Sequence, residues 1–311
     1  MARHELIAGP DTVHWGYYDA GLPPLMTIES GDTLVVGTES GRKEHVERVG
    51  DRASEALRAI LEKIPQGPGP HMMTGPVAVR GARPGDALEI RIKDIQPRYD
   101  WGYNQFHPLA GGLPADFPYT VKRIVDIDLG RRTCGWGAGA NVPLAPFFGN
   151  IGVAPLPAMG QVPSMPPGAW GGNLDNKELV AGTVLYLPVF NEGARLSVGD
   201  GHGCQGDGEC CLTAVETGLM GTFEVRLRKD LKLKSPRAET PTHHILMGFD
   251  PILDNAAKMA LRETIGFLGE LRGMGRDDAY TLCSLAVDLR VTQIVNGYKG
   301  VHAMLPKAVV G

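Results

Sequence analysis

Between Ser197 and Glu209 the chain reads Ser-Val-Gly-Asp-Gly-His-Gly-Cys-Gln-Gly-Asp-Gly-Glu, which sets Asp200, His202, Asp207 and Glu209 apart by glycines within ten residues. Carboxylates and imidazole are the side chains that hold a divalent cation and move protons near neutral pH. Asp200 and His202 lie two apart, so an extended backbone points both to one side, where they can ligate one ion. Asp207 and Glu209 repeat that spacing after Cys204-Gln205-Gly206. If the loop folds back, one acidic pair completes the coordination and the other serves as general base. A metal-assisted hydrolase needs two or three protein ligands, an open position for water and a group to take the water's proton, and this run can supply all three. Two readings compete: a polar hairpin turn, since Asp-Gly pairs form turns readily, and a non-catalytic module whose glycine-rich loop wraps a structural cation such as calcium.

The elements around the run must position it. A strand is predicted over residues 183 to 189, and a turn at Glu192-Gly193 then leads into the run, which hangs from a strand end. Residues 26 to 36 read as a hairpin turning at Ser30-Gly31-Asp32, preceded by a loop that offers His14 and Asp19 as site residues or as a surface pair. Apolar positions 56, 57, 60, 61 and 64 predict a short amphipathic helix ended by Pro65. Two β segments flank Ala82-Arg83-Pro84-Gly85-Asp86, and the second alternates Leu88, Ile90 and Ile92 with charged residues. This turn-and-strand pattern repeats the one at residues 30 to 36 and hints at duplicated β units. Residues 100 to 175 are irregular and rich in Gly, Pro and aromatics, so their loops are expected to wall a pocket. A strand is predicted over 221 to 229, helices over 254 to 271 and 277 to 289, and a last strand over 301 to 306.

Composition narrows the class. The 42 glycines and 24 prolines fit short strands joined by turns better than a helical bundle, and 43% hydrophobic residues supply a core. The expected fold is mainly β, with β-sandwich-like antiparallel sheets over residues 1–235 and a small α-helical C-terminal portion with a final strand over 236–311. A net charge of -4, from 31 basic and 35 acidic residues without like-charge runs, gives no handle for nucleic acid or a membrane surface. With no apolar run long enough to span a bilayer and five cysteines without zinc-knuckle spacing, the expectation is a cytoplasmic protein with a small-molecule ligand. Serine-hydrolase, HExxH, P-loop and dinucleotide-binding templates are missing. Cys204 beside His202 lacks an evident third partner and is discounted as a nucleophile.

Five blocks in order carry a resemblance: His71-Met72-Met73-Thr74-Gly75-Pro76-Val77 with Gly81-Ala82-Arg83-Pro84-Gly85-Asp86; Pro146 through Pro155; Gly171-Gly172-Asn173-Leu174-Asp175; Val198 through His202 with Gln205 through Glu209; and Asp277-Asp278-Ala279-Tyr280 through Gly297. The whole chain resembles the acetamidase/formamidase family. The resemblance implies hydrolysis of the C–N bond of small linear amides, a β-sandwich-like fold and, in several members, a divalent metal. On that basis Asp200 and His202, with His71 or Asp175, are the expected metal ligands, and zinc is placed ahead of calcium. Glu209 or Asp207 is the expected base, and Asn173, Gly149 and Gly152 the expected substrate contacts, with backbone N–H groups from Gly149 to Val153 facing the oxyanion. A homo-oligomer is the expected assembly. Gly203-Cys204 and Cys210-Cys211 depart from the residues usual in such proteins, which bears on pocket size.

Overall fold

In a computed structural model that describes residues 1–311, two sheets face each other. The larger has nine strands, in the order Arg3–Ile7, Asp32–Gly37, Leu219–Arg228, Ala87–Pro97, Val184–Pro188, Arg237–Glu239, His243–Asp250, Tyr298–Pro306 and Asp288–Asn296. The smaller has six: Gly171–Asn173, Phe147–Gly152, Leu196–His202, Met72–Val79 and Val13–Trp15, with Met26–Ile28 parallel to Met72–Val79. Leu34, Leu88, Ile90 and Phe223 from the first sheet and Val79, Phe148, Ile151 and Val198 from the second share one buried cluster, which is the core of a sandwich. The mainly β expectation therefore holds.

Two turns join the sheets instead of closing hairpins. Met26–Ile28 lies in the six-stranded sheet and Asp32–Gly37 in the nine-stranded one, so the hairpin expected at Ser30-Gly31-Asp32 is an arch across the core. Both strands bury apolar side chains, Ile28 on one side and Leu34 and Val36 on the other, in the same inter-sheet cluster. That shared burial outweighs local pairing. Met72–Val79 and Ala87–Pro97 form a second arch of the same kind, and Leu219–Arg228 pairs antiparallel with the second strand of each. The repeated turn pattern thus corresponds to two stacked arches.

Residues after 235 contribute more strand than the sequence pattern indicated, because four of their strands extend the nine-stranded sheet. The segment His243–Asp250 alternates: Ile245, Met247 and Phe249 enter the sandwich core, while Leu246 faces a helix at Leu253–Arg272. That helix buries Ala256, Ala260, Thr264 and Leu268 along one stripe. Its backbone lies so close to the sheet that a Cβ on Gly248 would run into Ala256 O, which makes glycine obligatory there. A second helix, Arg276–Ala286, follows.

The expected amphipathic helix is Glu55–Lys63. Ser54 caps it by accepting from Leu57 N at 2.9 Å, a contact worth about 1 kcal/mol. Leu57 and Ile60 are fully buried with Trp15, Met72 and Trp101, each contributing roughly 1.5–3 kcal/mol. The region 100 to 175 is more regular than its composition indicates. It holds a four-stranded antiparallel sheet of Trp101–Phe106, Val121–Asp128, Thr133–Trp136 and Ala140–Pro143. No helix of the chain is long and apolar enough to cross a membrane.

Candidate active site

The strand Leu196–His202 runs through the six-stranded sheet between Phe147–Gly152 and Met72–Val79. Its register with the first passes from Phe148–Gly201 to Asn150–Gly199, and between them Asp200 takes a left-handed φ of 57°. Asp175 and Glu209 are left-handed too, at 47° and 43°. Such angles cost an L-residue on the order of 1–2 kcal/mol each, and backbone strain of this kind concentrates at functional sites. All three carboxylates line one cavity of ≈ 160 Å³, together with His71, Asn173 and Glu216. A Cβ on Gly149 would collide with Asp175 Oδ1 and Asp200 Oδ2, so glycine alone lets these acids close over the strand.

His202 sits at the centre and is fully buried. Its Nδ1 is 2.9 Å from Gln205 Oε1, while Gln205 Nε2 donates to Asp175 O at 2.7 Å. An amide oxygen only accepts, so Nδ1 carries the hydrogen and Nε2 is the nitrogen left to bind. That Nε2 is 3.2 Å from Glu216 Oε2, 3.3 Å from Asp200 Oδ2 and 3.9 Å from Asp175 Oδ1. His71 Nε2 approaches the same Asp200 oxygen to 3.7 Å, while its Nδ1 is held by Ser164 Oγ at 3.0 Å. Asn296 Nδ2 donates to Asp175 Oδ2 at 2.5 Å, and Asn150 Nδ2 to Asn173 Oδ1 at 2.5 Å.

The groups titrate against one another. Burial raises Glu216 and, with a smaller push from Asp200, outweighs the lowering by His202, so its carboxyl is pushed up to about 8. Burial also lifts Glu209, well above the carboxylate range, and Asp175. Asp200 goes the other way: burial would raise it, but His71 and His202 hold it below the usual range. For His202 burial alone would lower the pKa, and Glu216 and Asp200 reverse this and leave it well above the ordinary imidazole value.

His202 Nε2, Asp175 Oδ1, Glu209 Oε2 and Glu216 Oε2 are buried without a hydrogen-bond partner. Ligand atoms of Asp175, Asp200 and His202 lie within 4.8 Å of one another, as do those of His202, Glu209 and Glu216. Buried, unpartnered nitrogen and oxygen donors around one imidazole fit a divalent ion, and a mixed N,O set suits zinc better than calcium, which takes oxygen alone.

Of the residues singled out from sequence, Asp200, Glu209, His71, Asp175 and Asn173 line this cavity, and His202 lies directly behind its wall against Asp200. Asp207 does not: Gly208, at φ 96°, turns the chain between it and Glu209, and Asp207 instead lies 3.4 Å from Lys177 Nζ. Gly152 packs against Tyr18, where a Cβ would meet the ring, and Val153 N donates to Trp170 O, so that part of the strand is structural. His14 is buried on Ser197 Oγ at 3.0 Å, with burial lowering it to about 4, and Asp19 accepts from Gly21 N. Cys204 faces Cys134, Sγ to Sγ 4.0 Å, within a small apolar cluster. Glu216 escaped the sequence reading. Its only signal is a lone acid in Thr213-Ala214-Val215-Glu216-Thr217, among small and apolar residues.

The sequence profile of the acetamidase/formamidase family matches residues 7–164 and 160–310. The chain belongs to the acetamidase/formamidase family. Among proteins of this family it is 29% identical over 273 residues to a putative formamidase of Schizosaccharomyces pombe, an alignment covering 69% of this chain and 65% of that protein, less than two thirds of its length. It is similar throughout to the crystal structure of an acetamidase of Bacillus halodurans, at 29% identity and a TM-score of 0.84 over 99% of this chain and 98% of that one. An acetamidase of Yersinia enterocolitica gives 30% identity and a TM-score of 0.85 over 99% and 93%. The overall fold is therefore shared with both of these solved structures.

Proposed function

We propose that the chain hydrolyses the C–N bond of a small linear amide to carboxylate and ammonia, with a divalent cation, zinc ahead of calcium, held by Asp200, His202 and Asp175 and flanked by His71. The observation that carries this reading is that the oxygens of Asp175, Glu209 and Glu216 on one cavity wall and the His202 Nε2 directly behind them are all buried and unpartnered. Family membership supports the reaction class. A cation bound there supplies Lewis-acid polarisation and makes water more acidic. The chain's own residues do the rest. Gln205 fixes the His202 tautomer, and Asn296 and Gln205 hold Asp175 in its strained backbone. With a cation neutralising the cluster, Glu209 as a carboxylate would take the water's proton and hand it to the departing amine, with Glu216 beside His202 as the neighbouring acid. Asn173, whose Oδ1 is engaged by Asn150, keeps its Nδ2 for the carbonyl oxygen of the amide. A purely structural cation accounts less well for a polar cavity beside the same carboxylates. The test is ammonia release from formamide and acetamide before and after exhaustive chelation, with elemental analysis: activity that disappears with the metal and returns on adding a divalent ion is expected, and full activity in metal-free protein refutes the reading.

A further inference from the structure

The cavity holds more than the shortest amides need. About 150 Å³ of cavity accommodates a benzene ring, and here ≈ 160 Å³ is available. Glu39 forms another stretch of its wall and is 1% exposed. Its Oε1 accepts from Tyr99 OH at 2.5 Å, Ser54 Oγ at 2.9 Å and Arg98 Nη1 at 3.1 Å, three donors that lock the carboxylate in place. Its Oε2 is buried and has no partner. Gln105, also on the wall, has a buried and unpartnered Oε1. Arg42 does not answer either acceptor, because its guanidinium donates to Gln66 Oε1 and Pro70 O. A buried acceptor with no donor is costly to keep, and a site built around one rejects analogues that cannot supply the hydrogen.

We infer that the substrate is a small linear amide carrying a second, neutral hydrogen-bond donor, such as a further carboxamide N–H, which Glu39 Oε2 accepts. The inference rests on the amide-hydrolase reading above and names the substrate class of that site. A neutral donor is favoured over an ammonium group because Arg98 already balances the Glu39 charge at 3.1 Å. Glu39 takes no part in the reaction at the carbonyl in this scheme and acts on specificity.

Malonamide and 3-oxobutanamide test it, since they differ by an amino for a methyl group beyond a shared carbonyl. After the statistical factor for its equivalent amides, kcat/KM for malonamide should exceed that for 3-oxobutanamide by about tenfold to a hundredfold, the size expected when a buried acceptor is left unpaired. In Glu39→Gln the donors on the Oε1 side retain the amide oxygen, so an NH₂ group replaces Oε2 and the preference should fall toward unity. A wild-type ratio within about twofold of unity, below what one hydrogen bond confers, overturns the inference whether or not the variant folds, as does an unchanged ratio in a folded Glu39→Gln. Calorimetric titration of the same two amides separates the inference from its premise. Tighter malonamide binding that Glu39→Gln abolishes, with neither amide hydrolysed, removes the hydrolase reading and retains the acceptor; neither hydrolysis nor preference removes both.

Discussion

The loop after His202 feeds two clusters of acids and histidine, and they differ in what surrounds them. In one, Asp207, Glu178 and His302 stand within 4.8 Å of one another. Lys177 Nζ is 2.8 Å from Glu178 and 3.4 Å from Asp207, Arg290 Nη1 is 2.8 Å from Glu178, and Thr292 Oγ1 is 2.7 Å from His302 Nδ1. Each carboxylate there has a permanent cation. In the other, Asp175, Asp200, Glu209 and Glu216 have only His71 and His202. Crowded acids are thus common to both, and what distinguishes these four is that none is paired with a lysine or arginine, since Arg42 on the cavity wall donates to Gln66 Oε1 and Pro70 O. Buried charge without a partner either neutralises or waits for an ion.

The comparison can be broken most sharply at its two glutamate and aspartate arms. Glu209→Gln should keep the metal and lose about 10²- to 10⁴-fold in kcat, the range for a general base, whereas Asp207→Asn should leave turnover nearly intact; parallel amide turnover and metal analysis decide this, and equal losses in both variants would mean that the loop works as a unit. Next in size is Gln205→Ala. By freeing the His202 Nδ1–H it should weaken metal binding by about 10- to 100-fold, read by competition with a chromophoric chelator, and unchanged affinity would show that the tautomer is set elsewhere.

The third prediction concerns pH. Glu216 holds its proton in the fold up to about 8, while the ordinary value is 4.5. Between these the native state binds a proton that the unfolded chain has released, so stability falls as pH rises. Glu209, Asp175 and His202, all raised, act in the same direction. Metal-free protein should therefore lose stability from pH 6.5 to 8, above the range in which His14, His45 and His302, each lowered by burial to about 4, act in the opposite direction, by up to about 1.4 kcal/mol per pH unit for each raised group. Metal should reverse the trend, because its ligands must be deprotonated. Denaturant melts at several pH values with and without metal test both signs, and a metal-free Tm that climbs over this range contradicts the assignment. The smallest effect is at the compensated cluster. Lys177→Ala should cost less than about 1 kcal/mol, as partly exposed ion pairs do, and leave metal content unchanged; loss of metal would merge the two regions.

What could be read from the sequence follows from these contrasts. Asp200 and His202 lie on one strand held by ladders on both sides, and their ligand atoms stand 3.3 Å apart even though Asp200 itself is left-handed. Asp207 and Glu209 have no such strand to hold them together, and Gly208 with the left-handed Glu209 turns the chain between them. Glu216 and Asn296 act through contacts 14 and 121 residues away, to His202 and Asp175, and Gln205 adds to its local contact with His202 one to Asp175 across 30 residues. No local pattern encodes those. The arch at Ser30-Gly31-Asp32 failed as a hairpin for a related reason, since turn chemistry specifies a reversal and the shared core decides which sheet receives each strand.

The hairpin formed by Asp288–Asn296 and Tyr298–Pro306 carries a further consequence. It pins Gly208 by donors and acceptors at Thr292 and Ile294, and it supplies the Asn296 side chain to Asp175. A ribosome adding roughly 5–20 residues per second therefore needs several seconds after exposing His202 before it delivers the strand that clasps the loop. Throughout that interval the nascent chain carries its crowded carboxylates without the geometry that assembles them, so catalytic competence waits on a hairpin made well after His202.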